Sequence, residues 1–398
     1  MKNIHRRFAA LFAAAFAVML GMGIIVPLMP IYAEHMGATG IWIGIIFSGF
    51  SLSRLIFMPI MGRISDKKGR KKFIALGLFF YTLLSLGYVF AENVYSLVWV
   101  RVLHGLASAM VIPIIMAYIG DIAPKGKEGR FMGYFNTSFF LGMGLGPFIG
   151  GFLNDAFSMN SAFYAMTILA TLSLLIIIFA LPEESARLLE KAEHKKEISF
   201  KKLLNNDLIK GLVLYRFITA AGRGPLMAFL PIFAAQFKIT ASQIGFIITS
   251  NMLLMSLLQA PFGRIADKYS KIRMIILSGI ISGLALFIMP FMKTFSGLFF
   301  ANIFMGLAGA IGMPAATAIN AIAGRKHGMA SAMGLFSSAM SAGMVIAPLI
   351  AGILMDTAGI KYVFYFGAFT SFAGIYFFRF YAKKYKRVIE EEKYPVTA

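Results

Sequence analysis

Stretches of about 20 apolar residues recur along the whole chain, and nothing between them is long enough for a large soluble domain. A hydrocarbon core of roughly 30 Å is crossed by about 20 residues of helix. Inside lipid each backbone N–H and C=O must be paired within its own segment, so every such stretch is predicted to be a membrane-spanning helix. The expected spans are 8–32, 41–63, 73–91, 95–119, 131–153, 162–181, 209–235, 242–264, 273–292, 295–320, 330–353 and 361–382. Twelve spans put both termini on the same side. Composition agrees: 59% of the 398 residues are hydrophobic and 14% are charged, too few to cover a water-facing surface. Lys2, Arg6 and Arg7 before an Ala-rich run give the first 32 residues the outline of a signal peptide. Their apolar run is longer than a signal h-region and has a counterpart in the second half, so it reads as the first span.

The charge is lopsided, with 38 Lys and Arg against 17 Asp and Glu. The basic residues lie in short loops between apolar stretches, a pattern of membrane topology rather than of nucleic-acid binding. The N-terminus, the even-numbered loops and the tail hold 31 of the 38, and the opposite loops hold Lys238, Lys293 and Lys361. That bias places both termini in the cytoplasm. The polar stretch from Pro182 to Lys210 reads as a linker. The chain is therefore divided into an N-terminal six-helix bundle (1–181), a cytoplasmic linker (182–208) and a C-terminal six-helix bundle with a basic tail (209–398). Cysteine is absent, which excludes disulfides, thiolate metal sites and cysteine nucleophiles. No metal or other cofactor is expected.

Sliding the chain by 201 residues without a gap aligns its two halves. Gly21, Gly23, Pro30, Gly44, Gly62, Arg63 and Asp66 fall on Gly222, Gly224, Pro231, Gly245, Gly263, Arg264 and Asp267. Further on, Gly105, Pro113, Gly133, Gly142, Pro147, Gly151 and Asp155 fall on Gly306, Pro314, Gly334, Gly343, Pro348, Gly352 and Asp356. The shift covers six helices, an even number, so the halves share one topology and are related by an axis along the membrane normal. Repeats of this kind hold a binding site between them near the midplane.

The second-to-third loop runs from Gly62 through Asp66, Gly69 and Arg70 to Lys72, in the spacing Gly-x-x-x-Asp-x-x-Gly-Arg. It is echoed from Gly263 to Arg273, with Ser270 in place of the second glycine. Helix 5 carries Gly133, Gly142, Gly146, Pro147, Gly150 and Gly151 in the pattern G-x8-G-x3-G-P-x2-G-G. With Arg101 to Gly105 in helix 4, these motifs resemble those of the drug-efflux branch of the major facilitator superfamily, and the resemblance covers the whole chain. It implies twelve helices in two bundles, no enzymatic activity and outward transport. It also implies that Asp66 latches the halves, with Arg70 and Arg130 as partners and a weaker counterpart at Asp267. Arg101 takes the place of a residue tied to proton transfer; by position alone it is equally an arginine snorkelling to the interface. His104 is either a second proton candidate or a satisfied structural histidine.

The chain departs from the resemblance in helix 1, where Phe16 to Leu20 stand in place of the carboxylate common in related proton antiporters. No Asp or Glu lies near the centre of any predicted span, whereas Arg54 and Arg223 do, with Arg216 two turns from Arg223 on the same face. These arginines either attract an anionic group of a substrate or cap kinked helices by bonding backbone carbonyls. Asn251 and Gln259 on helix 8 are further candidate cavity groups. The expectation is a secondary transporter, monomeric in the bilayer, that moves a small amphipathic or anionic molecule by alternating access, with or without a coupling ion. An anion importer or exchanger and a membrane-embedded enzyme are the competing readings. An enzyme would need clustered chemistry at one membrane face, and His5, His35, His104, His194 and His327 are scattered.

Overall fold

The structure, a computed structural model, describes residues 2–124, 128–182, 207–327 and 329–383. These residues form helices α1 (Lys2–Ile25), α2 (Leu28–His35), α3 (Gly40–Lys68), α4 (Arg70–Gly87), α5 (Val94–Ala109), α6 (Ile112–Ile122) and α7 (Glu128–Ala156). They continue as α8 (Met159–Leu175), α9 (Asp207–Ala235), α10 (Ala241–Lys268), α11 (Lys271–Ile288), α12 (Phe295–His327), α13 (Met329–Ala358) and α14 (Lys361–Lys383). A π-helical turn, Ile176–Ala180, ends the sixth span. There is no strand among the described residues.

Fourteen helices make twelve spans because two spans are interrupted. The first breaks between α1 and α2 at Val26 and Pro27, and the fourth between α5 and α6 at Met110 and Val111, just before Pro113. A proline cannot donate into the helical ladder and its ring crowds the preceding turn. The third and fifth spans, α4 and α7, lack the long uninterrupted apolar stretch of the other ten. α4 opens on Arg70, Lys71 and Lys72, and α7 spends its length on glycines and the run Asn136-Thr137-Ser138. The offset of 201 residues returns in the helices themselves: α3, α4, α5 and α7 start at 40, 70, 94 and 128, and α10, α11, α12 and α13 at 241, 271, 295 and 329. Phe90, Trp99, Phe179, Leu257 and Phe369 are each at least two-thirds exposed, as side chains that face lipid must be.

Contacts divide the chain into two compact units, Met1–Lys195 with Pro231–Leu253, and Lys196–Leu230 with Leu254–Ala398. This partition differs from the repeat at residues 231–253, which pack with the first unit. The predicted linker falls almost wholly outside the described residues. In the first unit α1 packs against α7 and α8, and α3 against α5. In the second, α11 packs against α12 and α14 over a core that includes Leu212, Ile275, Ile311, Ile319 and Phe378.

Candidate functional site

The helix-5 motif uses two faces of α7. On one face a Cβ at Gly142 would lie 2.7 Å from the Phe16 carbonyl oxygen, and one at Gly146 would lie 2.5 Å from the Gly23 backbone. A Cβ at Gly150 would overlap the Ile24 carbonyl oxygen. On the other face Gly151 abuts the Ala241 carbonyl oxygen at the start of α10, and Gly245 of α10 abuts the Pro147 carbonyl oxygen. Any larger residue would force these backbones apart. Two polar contacts join the α7–α10 seam: Phe148 N donates to Thr249 Oγ1 (3.1 Å), and Ser242 N donates to Asp155 Oδ2 (2.8 Å). Asp155 thus accepts from the first turn of α10, where free amides and the helix dipole favour a carboxylate. Burial works against its ionisation, but hydrogen bonds from Ser242 and Asn154 outweigh it and hold the carboxyl below its usual range. Gly133, by contrast, meets no atom within 4 Å that a Cβ would strike, and neither does Gly62.

At the other end of the first unit Arg70 binds two carboxylates, Asp66 Oδ1 and Asp121 Oδ2, each at 2.7 Å. The pairing of Asp66 with Arg70 was expected, while Asp121 at the end of α6 was not singled out. The side chains of Arg130 and Asp267 lie outside the described residues. Gly69 joins α3 to α4 at φ 97°, a conformation that disfavours any side chain, whereas Ser270 in the echo has φ −65°. The second half has serine there because its backbone does not need glycine.

Between α3, α4 and α5 lies a buried polar cluster. Arg101 is 2% exposed and His104 fully buried. Arg101 Nη1 donates to Tyr88 Oη (3.4 Å), and that hydroxyl is 2.7 Å from His104 Nδ1. The Arg101 guanidinium stands 4.3 Å from the Phe50 ring centre and 5.5 Å from that of Phe47, and Arg54 stands 5.7 Å from Phe50. The rings of Tyr81 and His104 are 4.0 Å apart. Arg101 and His104 were candidates from sequence, but Tyr81, Tyr88 and Phe50 were not. A spacing of seven places both tyrosines on one face of their helix, the available hint.

In the second unit Arg223 donates through Nη2 to Ser282 Oγ (2.7 Å) and to the Met305 carbonyl oxygen (2.8 Å). Arg216 reaches only thioether sulfurs, Met313 Sδ at 3.3 Å and Met340 Sδ at 2.6 Å, and stands 5.1 Å from the Phe336 ring centre. Gln259 Nε2 is buried without a hydrogen-bond partner, and Asn251 is half-buried. Among the described residues no group of three His, Asp or Glu could hold a metal ion.

A family model described as Major Facilitator Superfamily matches residues 11–215 and again 212–396, one match for each half of the repeat. The chain belongs to the major facilitator superfamily. It is a multi-pass membrane transporter rather than an enzyme, and its helices have the architecture of that family. Over 375 residues it is 34% identical to an uncharacterized MFS-type transporter of Methanocaldococcus jannaschii, covering 93% of this chain and 97% of that protein. It is 29% identical over 377 residues to Multidrug resistance protein 2 of Bacillus subtilis, covering 92% and 93%. Among solved structures, the nucleoside transporter NupG superposes with a TM-score of 0.79 at 14% identity, covering 94% of this chain and 99% of that one.

Proposed function

We propose that this superfamily member exports a small amphipathic molecule and draws it in by positive rather than negative interior charge. One observation carries the reading. Among the described residues Arg54, Arg101, Arg216 and Arg223 stand within spans, about two turns or more from the nearest helix end, whereas each Asp and Glu stands in a loop or within one turn of a helix end. Charge in the middle of a span is costly and marks ion or substrate pathways. The likeness to Multidrug resistance protein 2 and the complete helix-5 motif support outward movement. The distribution of Lys and Arg supports cytoplasmic termini in the plasma membrane, and the presence of both repeats in one chain supports monomeric function. Asp66 with Arg70 is the proposed latch at the cytoplasmic end, and Arg54, Arg216 and Arg223 are the proposed substrate contacts.

The test is transport in reconstituted vesicles with an imposed pH gradient, comparing an anionic with a cationic amphipathic dye of similar size. The anionic dye is expected to move faster, and Arg223→Glu to lose its transport. Faster movement of the cationic dye, or an unaffected Arg223→Glu protein, would reject the positive-interior reading. Inward accumulation would favour an importer or exchanger.

A further inference from the structure

Among the described residues of α3, α4 and α5, apart from Asp66, which is ion-paired with Arg70, six buried polar atoms have no hydrogen-bond partner: Ser53 Oγ, Arg54 Nε, Tyr81 Oη, Thr82 Oγ1, Arg101 Nε and His104 Nε2. An orphaned buried donor forfeits its hydration without return, and several beside one another in a membrane span are not left so by packing alone. The chemistry of the six can be assigned. A guanidinium can only donate, so the Tyr88 oxygen accepts from Arg101. We assign the Tyr88 proton to His104 Nδ1, the acceptor 2.7 Å away, which leaves the proton of neutral His104 on Nε2. Arg54 Nε, Arg101 Nε and His104 Nε2 are therefore donors, and the three hydroxyls can donate as well. None of the six must accept.

The charge points the same way. Two guanidiniums flank the Phe50 ring, and the carboxylate on α3 is Asp66, twelve residues or about 18 Å beyond Arg54 and engaged with Arg70. Within the cluster Arg101 meets a tyrosine oxygen and two aromatic faces. A set of donors with two positive charges and no counter-charge is the complement of an anion. Ser53, Tyr81, Arg101 and His104 are between 0 and 4% exposed, burial that bars an amphipathic molecule and admits at most an ion of a few atoms. Arg54 is half-buried and forms the approachable edge.

We infer that the first unit binds a small inorganic anion of the chloride class among Arg54, Tyr81, Arg101 and His104. The ion supplies the negative charge that these spans lack. Arg54 is the one residue this site shares with the proposed substrate contacts, and the site does not depend on the direction of transport.

The experiment uses the full chain purified in detergent, melted at constant ionic strength while potassium gluconate is replaced by potassium chloride. Above its dissociation constant chloride should raise the melting temperature by on the order of 1–3 °C per tenfold increase. Arg54→Gln and Tyr81→Phe should each flatten that slope. Should Arg54→Gln fail to fold, Tyr81→Phe removes one hydroxyl with little change in shape. Saturable binding of radiolabelled chloride by the unaltered protein, weakened several-fold in Tyr81→Phe, gives an independent readout. Identical melting in the two salts with no saturable binding would overturn the inference. So would a chloride response unchanged in both variants, which would put the ion at the basic loops. A response to benzoate but not to chloride, lost in Arg54→Gln, would overturn the small-ion assignment in favour of a substrate carboxylate.

Discussion

In the second unit Arg223 reaches a hydroxyl and a backbone carbonyl at 2.7 and 2.8 Å, whereas in the first Arg101 has one tyrosine oxygen at 3.4 Å and rests on two phenylalanine rings. Both are guanidiniums inside spans, and neither has a carboxylate at hand. Arg223 meets its need through the helix backbone, as an arginine capping a kink would. Arg101 and Arg54 retain donors with nowhere to go. Arg216 falls between them, since thioether sulfur is a weak acceptor. The lesson is that the number of charges in a span says little until the strength of each acceptor is known.

Breaking the first unit's arrangement should have the largest effect. Tyr88→Phe takes the hydroxyl from both Arg101 and His104, two buried groups at once, and should destabilise by about 3 kcal/mol. Thermal melting in detergent reads this as a loss of several degrees, and an unchanged melting temperature would show that Tyr88 is not what holds the pair. Next comes Arg223→Met, which leaves the Met305 carbonyl without its donor and should cost about 1–3 kcal/mol. Arg216→Met gives up sulfur contacts and the face of Phe336, and its stability, read by thermal melting, should stay within about 0.5 kcal/mol of the parent. If Arg216→Met were the more harmful of the two, the distinction between a settled and an unsettled guanidinium would fail.

The smallest effect extends the comparison to a charge outside the spans. Asp155 has a folded-state pKa below its unfolded value, so its contribution is complete above the unfolded value and fades as pH falls through the folded one. Asp155→Asn should therefore differ from the parent at neutral pH and converge with it in acid. A pH series of melting curves would show a constant gap instead if the carboxylate charge were irrelevant.

Much of this was legible before any coordinates. Span length and loop charge follow from what a bilayer tolerates, and a gap-free offset survives folding because each repeat builds the same helices. The breaks at Val26 and Met110 were not placed: Pro27, Pro30 and Pro113 were visible, but where a span yields depends on its neighbours. The motif pattern does not say which helices the α7 glycines meet: Gly150 and Gly151 are consecutive and so point to different ones. A Cβ at Gly133 or Gly62 would meet nothing within 4 Å, which spacing alone could not reveal. Arg101 and His104 drew notice as titratable groups in an apolar run. Their partners come from α3 and α4, brought near only by tertiary packing, and aromatic residues are too common here to stand out.

The double-sided contact of α7 has a mechanical consequence. A helix whose carbonyl-to-glycine contacts grip α1 along one side and the opening turns of α10 along the other cannot slide past either without shearing backbone against backbone. α1 belongs to the same repeat as α7 and α10 to the other, so any rocking of one repeat against the other has to part the second set of contacts while the first stays shut.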